Sequence, residues 1–170
     1  MTHVDGLARQ HGRDFTLPGA EAHWPPDLEL DPVHLDLDAR VDIQASALEG
    51  VVTTTFEARR TGEAATLLHA VALENVEVED PDGRPLAWSY DGQVIRVRWA
   101  EDVSRGERRR VRVRYRVVEP RAGLYFSKPS AHDPGAPWFA VTDHETERAR
   151  HWLPCIDLPS ARTRLDLRLR

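Results

Sequence analysis

The sequence predicts an all-β, antiparallel fold, a sandwich or a barrel, with one short helical turn near the C-terminus. Two observations predict the strands: long stretches alternate apolar and polar residues with period two, and turn signals recur at roughly ten-residue spacing. A third limits the helix, because only Thr142 to Trp152 carries a helical look, over about two turns.

Residues 1–27 are expected to form an irregular lead-in, with Pro18-Gly19 and Trp24-Pro25-Pro26 as breakers. Residues 28–170 are expected to form one domain. Val33, Leu35, Leu37, Ala39, Val41 and Ile43 alternate with His34, Asp36, Asp38, Arg40 and Asp42, which marks a half-buried strand. Glu49-Gly50 is expected to turn the chain, after which Val52, Thr54, Phe56 and Ala58 repeat the pattern. Apolar and β-branched residues continue from Leu67 to Glu79. Pro81-Asp82-Gly83 and Asp91-Gly92 are turn signals around a short strand from Leu86 to Tyr90. Ile95, Val97 and Trp99 mark the next strand. Arg105-Gly106 connects it to another, in which Val111, Val113, Tyr115 and Val117 alternate with Arg110, Arg112, Arg114 and Arg116. Leu165, Leu167 and Leu169 begin a strand in which the sequence stops, so the domain is expected to be truncated before its last strands.

The arginine ladder invites a nucleic-acid reading, but the net charge is −5 and phosphate neutralisation needs a basic face. A solvated sheet face, balanced by acids such as those of the Asp36-Asp38-Asp42 strand, is the expected role. No apolar run approaches the ~20 residues of a membrane helix, so no membrane partner is expected. Residues 1–13 show no secretory signature and Cys155 is the only cysteine, so the expected location is cytoplasmic.

Chemistry-bearing groups crowd into Thr142–Pro159. His144 and His151 are seven residues apart, about 10 Å along a helix, too far to share an ion bound at about 2 Å. No His-Glu-x-x-His occurs in the chain. Cys155 follows Pro154 with no evident oxyanion hole and reads as a small hydrophobe. Asp157, between prolines, reads as an acceptor that pins backbone amides or pairs with an arginine such as Arg150.

Thr142-Asp143-His144-Glu145, then Ala149-Arg150, then Pro154-Cys155-Ile156-Asp157-Leu158-Pro159 resemble the end of the N-terminal domain of the aminopeptidase N family. These are gluzincin zinc metallo-aminopeptidases, and leukotriene hydrolase is a relative. The family pattern runs Thr-Gln-x-Glu, four residues, Arg, three residues, Pro-Cys-x-Asp-x-Pro. Softer matches lie upstream, in order: Leu67 to Leu73, Gly123-Leu124-Tyr125-Phe126-Ser127, and Trp138-Phe139-Ala140-Val141.

The resemblance implies a saddle-like β-sandwich. It also implies that Glu145 binds the free α-amine of a peptide, and that Asp143, where the family has Gln, lines the first side-chain pocket. Arg150 and Asp157 are the implied frame. No catalytic residue and no metal ligand is expected within this chain. The implied zinc, the His-Glu-x-x-His helix and a Gly-x-Met-Glu-Asn loop would belong to a catalytic domain C-terminal to Arg170, which with peptide substrates would be the domain's partner. The isolated chain is accordingly expected to be inactive. A non-enzymatic binding or scaffold module of the same family is the alternative. A free-standing sandwich that binds ligands through Trp24, Trp88, Trp99, Trp138 and Trp152 is a third reading, although most of these tryptophans fall in strand patterns and are expected in the core.

Overall fold

The computed structural model describes residues 27–170. The expected lead-in, with Trp24, lies outside them except for Asp27, which is in no regular element. Ten strands follow in chain order: β1 Leu30–Asp42, β2 Ala47–Ala58, β3 Ala65–His69, β4 Glu74–Glu79, β5 Leu86–Tyr90, β6 Val94–Trp99, β7 Arg108–Val118, β8 Leu124–Ser127, β9 Phe139–Thr142 and β10 Arg164–Leu169. They form a five-stranded sheet in the order β10-β1-β2-β7-β4, a three-stranded sheet in the order β3-β6-β5, and the β8-β9 hairpin. The two larger sheets face each other as an open β-sandwich.

Period-two alternation builds the core. Leu35, Leu37 and Ala39 of β1, Val52 and Phe56 of β2, and Val111, Val113, Tyr115 and Val117 of β7 are buried on one face. Leu68, Ile95, Val97 and Trp99 of the small sheet meet them. Fully burying a side chain of this size contributes about 1.5–3 kcal/mol. The phase of β1 changes once. Leu30 and Pro32 point inward, a bulge falls between Pro32 and His34, and the inward set then becomes Leu35, Leu37 and Ala39. Trp99 stays buried because its indole N–H donates to buried Asp80 Oδ2 at 2.7 Å.

Four sequence expectations need correction. Glu49-Gly50 is not a turn; it lies inside β2, and the chain reverses at residues 43–46. Gly50 is there for close approach, because a Cβ would meet the Tyr115 ring and hydroxyl at 3.2 Å and the Ala39 Cβ at 3.3 Å. Asp36 and Asp38 do not balance the arginine ladder; they pair with Arg168 and Arg170 across β10. The ladder's partners are Asp82 for Arg110, Glu79 for Arg112, Glu77 for Arg114, and both Glu74 and Glu49 for Arg116. β4 supplies three of these acids, each directly opposite its arginine on β7. The two-turn helix at Thr142–Trp152 shrinks to a 3₁₀ turn at Ala149–His151. Finally, Trp99 and Trp152 are buried, but Trp88 and Trp138 are 42% and 56% exposed. Trp88 lines an apolar groove with Leu28, Leu67 and Leu158.

One pairing is parallel. β10 runs beside β1 in the same direction, with Leu165, Leu167 and Leu169 beside Leu35, Leu37 and Ala39. Among the described residues no helix is long and apolar enough to cross a membrane.

Candidate functional site

The acid-rich segment leaves β9 at Thr142 and crosses the surface as an exposed loop, residues 143–148. It does not coil because its own side chains compete with the helix ladder. Asp143 Oδ1 accepts the Glu145 backbone N–H at 3.2 Å, an Asx-type turn. Two residues on, Glu147 adopts a left-handed backbone with φ 58°. The next three residues then tighten into the 3₁₀ turn.

The loop hangs from two anchors. At its start, the Asp143 N–H donates to the Gly123 carbonyl at 3.1 Å. Gly123 has φ 80°, and a Cβ there would lie 2.0 Å from the Arg148 carbonyl oxygen and 3.1 Å from Trp152 Cδ1. The foot of the β8-β9 hairpin therefore packs directly on the backbone of the loop, which only glycine permits. At its end, Arg150 and Asp157 close a second clasp. Asp157 Oδ2 accepts from the Arg150 backbone N–H at 3.1 Å and from Arg150 Nε at 2.9 Å, and Arg150 Nη2 donates to the Asp157 carbonyl at 2.8 Å.

That clasp is bolted to the small sheet. His69 N donates to the Cys155 carbonyl at 2.7 Å, Cys155 N donates back to the His69 carbonyl at 3.2 Å, and Val71 N donates to the Arg150 carbonyl at 2.8 Å. The Asp157 N–H donates to His69 Nδ1 at 3.0 Å. This bond needs a lone pair on Nδ1, hence an unprotonated ring nitrogen. Burial pushes the His69 pKa below its ordinary value, and the Arg150 cation pushes the same way. Trp152, Leu153 and Ile156 insert into the core and fix the depth of the segment.

The histidines and the cysteine have structural surroundings. His144 Nε2 accepts the Trp152 indole N–H at 3.0 Å, with the rings 5.6 Å apart. Burial, then Arg150 and Arg121, lower the His151 pKa. Cys155 is partly buried against the core, and its burial pushes the thiol well above the ordinary range, away from nucleophilic thiolate chemistry. Among the described residues no three His, Cys, Asp or Glu side chains converge as a metal site, so these residues do not fit a zinc ion.

The three acids of the loop differ in what they are free to do. Asp143 pairs with Arg148 at 3.1 Å, and the same guanidinium reaches the Tyr125 hydroxyl at 3.4 Å. Glu147 pairs with Arg150 at 3.0 Å. The Glu145 carboxylate has no hydrogen-bond or ion-pair partner among the described residues, and it is exposed. One unengaged anion thus stands between two neutralised ones, an arrangement suited to capturing a small cation. Sequence reasoning missed Gly123, Arg148 and the bracing role of His69. Gly123 opens a short apolar strand, a position that hints at a backbone approach; His69 and Arg148 are joined to the segment only in three dimensions.

The family model described as the peptidase M1 N-terminal domain matches residues 31–170. No curated protein matches the chain. Among solved structures the chain is similar to an M1 zinc metallopeptidase from Deinococcus radiodurans, with 24% identity, TM-score 0.63, and coverage of 84% of this chain and 32% of that one. It is also similar to a two-domain M1 zinc metallopeptidase mutant bound to L-arginine, with 24% identity, TM-score 0.61 and coverage of 83% and 32%. A mutant of the Deinococcus radiodurans protein bound to a Tyr-Ser-Ala substrate gives 24%, 0.62, 83% and 32%. The chain spans about a third of the length of these structures. At this identity they carry the fold.

Proposed function

Because the chain belongs to the peptidase M1 family through its N-terminal domain, we propose that residues 28–170 serve as the substrate-clamping domain of a zinc aminopeptidase that releases N-terminal amino acids from peptides. Its partners are then peptides with free N-termini and a catalytic domain that carries the zinc. The single observation that carries this reading is the unengaged carboxylate of Glu145 on a loop whose other two acids are neutralised. The single cysteine supports a cytoplasmic location.

An α-amine has a pKa near ~8 and is mostly cationic at neutral pH. A unit charge pair 4 Å apart is worth about 1 kcal/mol in water and about 4 kcal/mol at an effective dielectric of 20. Glu145, exposed in the domain alone, therefore gains strength when an opposing surface and a bound peptide dry the cleft. Blocking the amine or presenting an internal peptide bond removes the contact, so the clamp selects chain ends. In this reading Glu145 positions the peptide. Asp143 lines the first side-chain pocket and orients Glu145 through its amide, while Arg148 neutralises its charge. Arg150 and Asp157 hold the frame. Zinc supplies water activation and carbonyl polarisation in such enzymes; the described residues do not fit it and take no part in that chemistry.

The test is kinetic. In the peptidase that carries this domain, Glu145→Gln is expected to raise KM and lower kcat for aminoacyl-arylamides. Unchanged values of both would remove Glu145 from the role. Hydrolysis of such substrates by residues 1–170 alone, abolished by a chelator, would overturn the division of labour.

A further inference from the structure

Beyond the peptide clamp, the structure contains a strand suited to a second copy of itself. β10 is one edge of the five-stranded sheet. The Val41 N–H donates to the Arg170 carbonyl at 2.8 Å, and the Arg170 N–H donates to the Ala39 carbonyl at 3.0 Å. Backbone polar groups alternate in direction along a strand. The even-numbered residues of β10 therefore face β1, and the N–H and C=O groups of Leu165, Leu167 and Leu169 face away from the sheet. Among the described residues no strand pairs with them. The same three leucines are 50%, 45% and 55% exposed, because the three-stranded sheet does not extend over β10.

The order of residues around Leu167 is self-complementary. Reading outward in both directions, Asp166 is matched by Arg168, Leu165 by Leu169, and Arg164 by Arg170. We infer that two copies of this chain pair antiparallel through β10, centred on Leu167, into one continuous sheet across a two-fold axis. In this register the outward groups of the three leucines form about six backbone hydrogen bonds. Asp166 faces the Arg168 of the second copy twice, and the leucines form one unbroken apolar row. Moving the centre by one residue in one direction sets Asp166 against Asp166, and in the other sets Arg168 against Arg168. The Arg164–Arg170 pairs at the two ends are the unfavourable term, reduced because Arg170 is already paired with Asp38.

The experiment uses the 170-residue chain. Sedimentation equilibrium is expected to show a concentration-dependent species of twice the chain mass. Leu167→Pro removes an outward N–H and leaves the even-numbered ladder to β1 intact, so it is expected to abolish the dimer while the thermal melt stays cooperative. A wild-type chain that stays monomeric at millimolar concentration, or a folded Leu167→Pro variant that still dimerises, overturns the proposal. Should that variant fail to fold, register is read by cross-linking in a Cys155→Ala background. Leu167→Cys brings two thiols to a hydrogen-bonded pair with Cα atoms about 5.5 Å apart, within disulfide reach. Leu165→Cys places them about 13 Å apart along the strands. Oxidation is expected to give a covalent dimer with the first variant only, and equal or reversed yields overturn the register.

Discussion

Replacing Gly123 by alanine tests whether the β8-β9 hairpin sets the position of the Glu145 loop. Two penalties add. A left-handed backbone costs a non-glycine residue about 1–2 kcal/mol. The new methyl would also stand 2.0 Å from the Arg148 carbonyl oxygen and 2.9 Å from its carbon, distances that real Cβ atoms do not show. The contact is with backbone, so relief requires moving either the hairpin foot or residue 148, and forced repacking of this kind typically costs about 1–3 kcal/mol. The total expected loss is about 2–5 kcal/mol. Gly83→Ala provides the matched control, since Gly83 has φ 78° and a methyl there would meet nothing within 4 Å. It carries the first penalty alone. At about 2–4 °C per kcal/mol for a chain of this size, Gly123→Ala should melt roughly 2–12 °C below Gly83→Ala by calorimetry. Hydrogen exchange at the Asp143 amide, which Gly123 accepts, should accelerate only in the Gly123 variant. Equal melting temperatures together with unchanged Asp143 exchange would refute the close-approach argument.

Asp157→Ala leaves the Arg150 guanidinium and backbone N–H without their acceptor and is expected to cost about 2–3 kcal/mol, measured by urea denaturation. Glu145→Gln, by contrast, removes no intramolecular bond and should change stability by less than about 0.5 kcal/mol in the same assay, separating the residue proposed to bind substrate from those that frame it. The His69 pKa is lowered in the folded state, so the unfolded chain binds the proton first. Stability from this group is complete above the ordinary histidine value of about 6.5 and falls as pH drops through it toward the lower folded value. His151 contributes a slope of the same sign. Melting temperature followed between pH 7.5 and about 5 should decline in the wild type and decline less in His69→Gln. Identical slopes would remove His69 from the linkage.

The strands with undisturbed alternation were legible from sequence. β1 and β7 carry long period-two runs because one face is buried and the other is charged. β4 was less distinct, because Asn75 takes φ 52° and the register shifts between Glu74 and Glu77, which breaks the alternation. β8 and β9 have four residues each and expose Tyr125, Phe139 and Val141, so neither length nor burial pattern marks them as strands. The helical reading of residues 142–152 counted charges and overlooked that Asp143 competes for the Glu145 amide. Within the candidate site, Asp143, Glu145, Arg150 and Asp157 lie in one segment and could be read together. Gly123 and His69 could not, because they meet the segment through hydrogen bonds that span the fold.

The pairing of β4 with the arginine ladder also bears on how the domain responds to its medium. β4 is the edge opposite β10, and its backbone ladder is interrupted, so the Glu74, Glu77 and Glu79 ion pairs are a large part of its attachment to β7. Exposed pairs of this kind weaken with ionic strength, whereas the apolar interior does not. Concentrated salt therefore loosens one border of the sandwich selectively. The domain has a hem held by charge and a body held by burial, and the segment that carries Glu145, stitched to β3 and to the β8-β9 hairpin, belongs to the body.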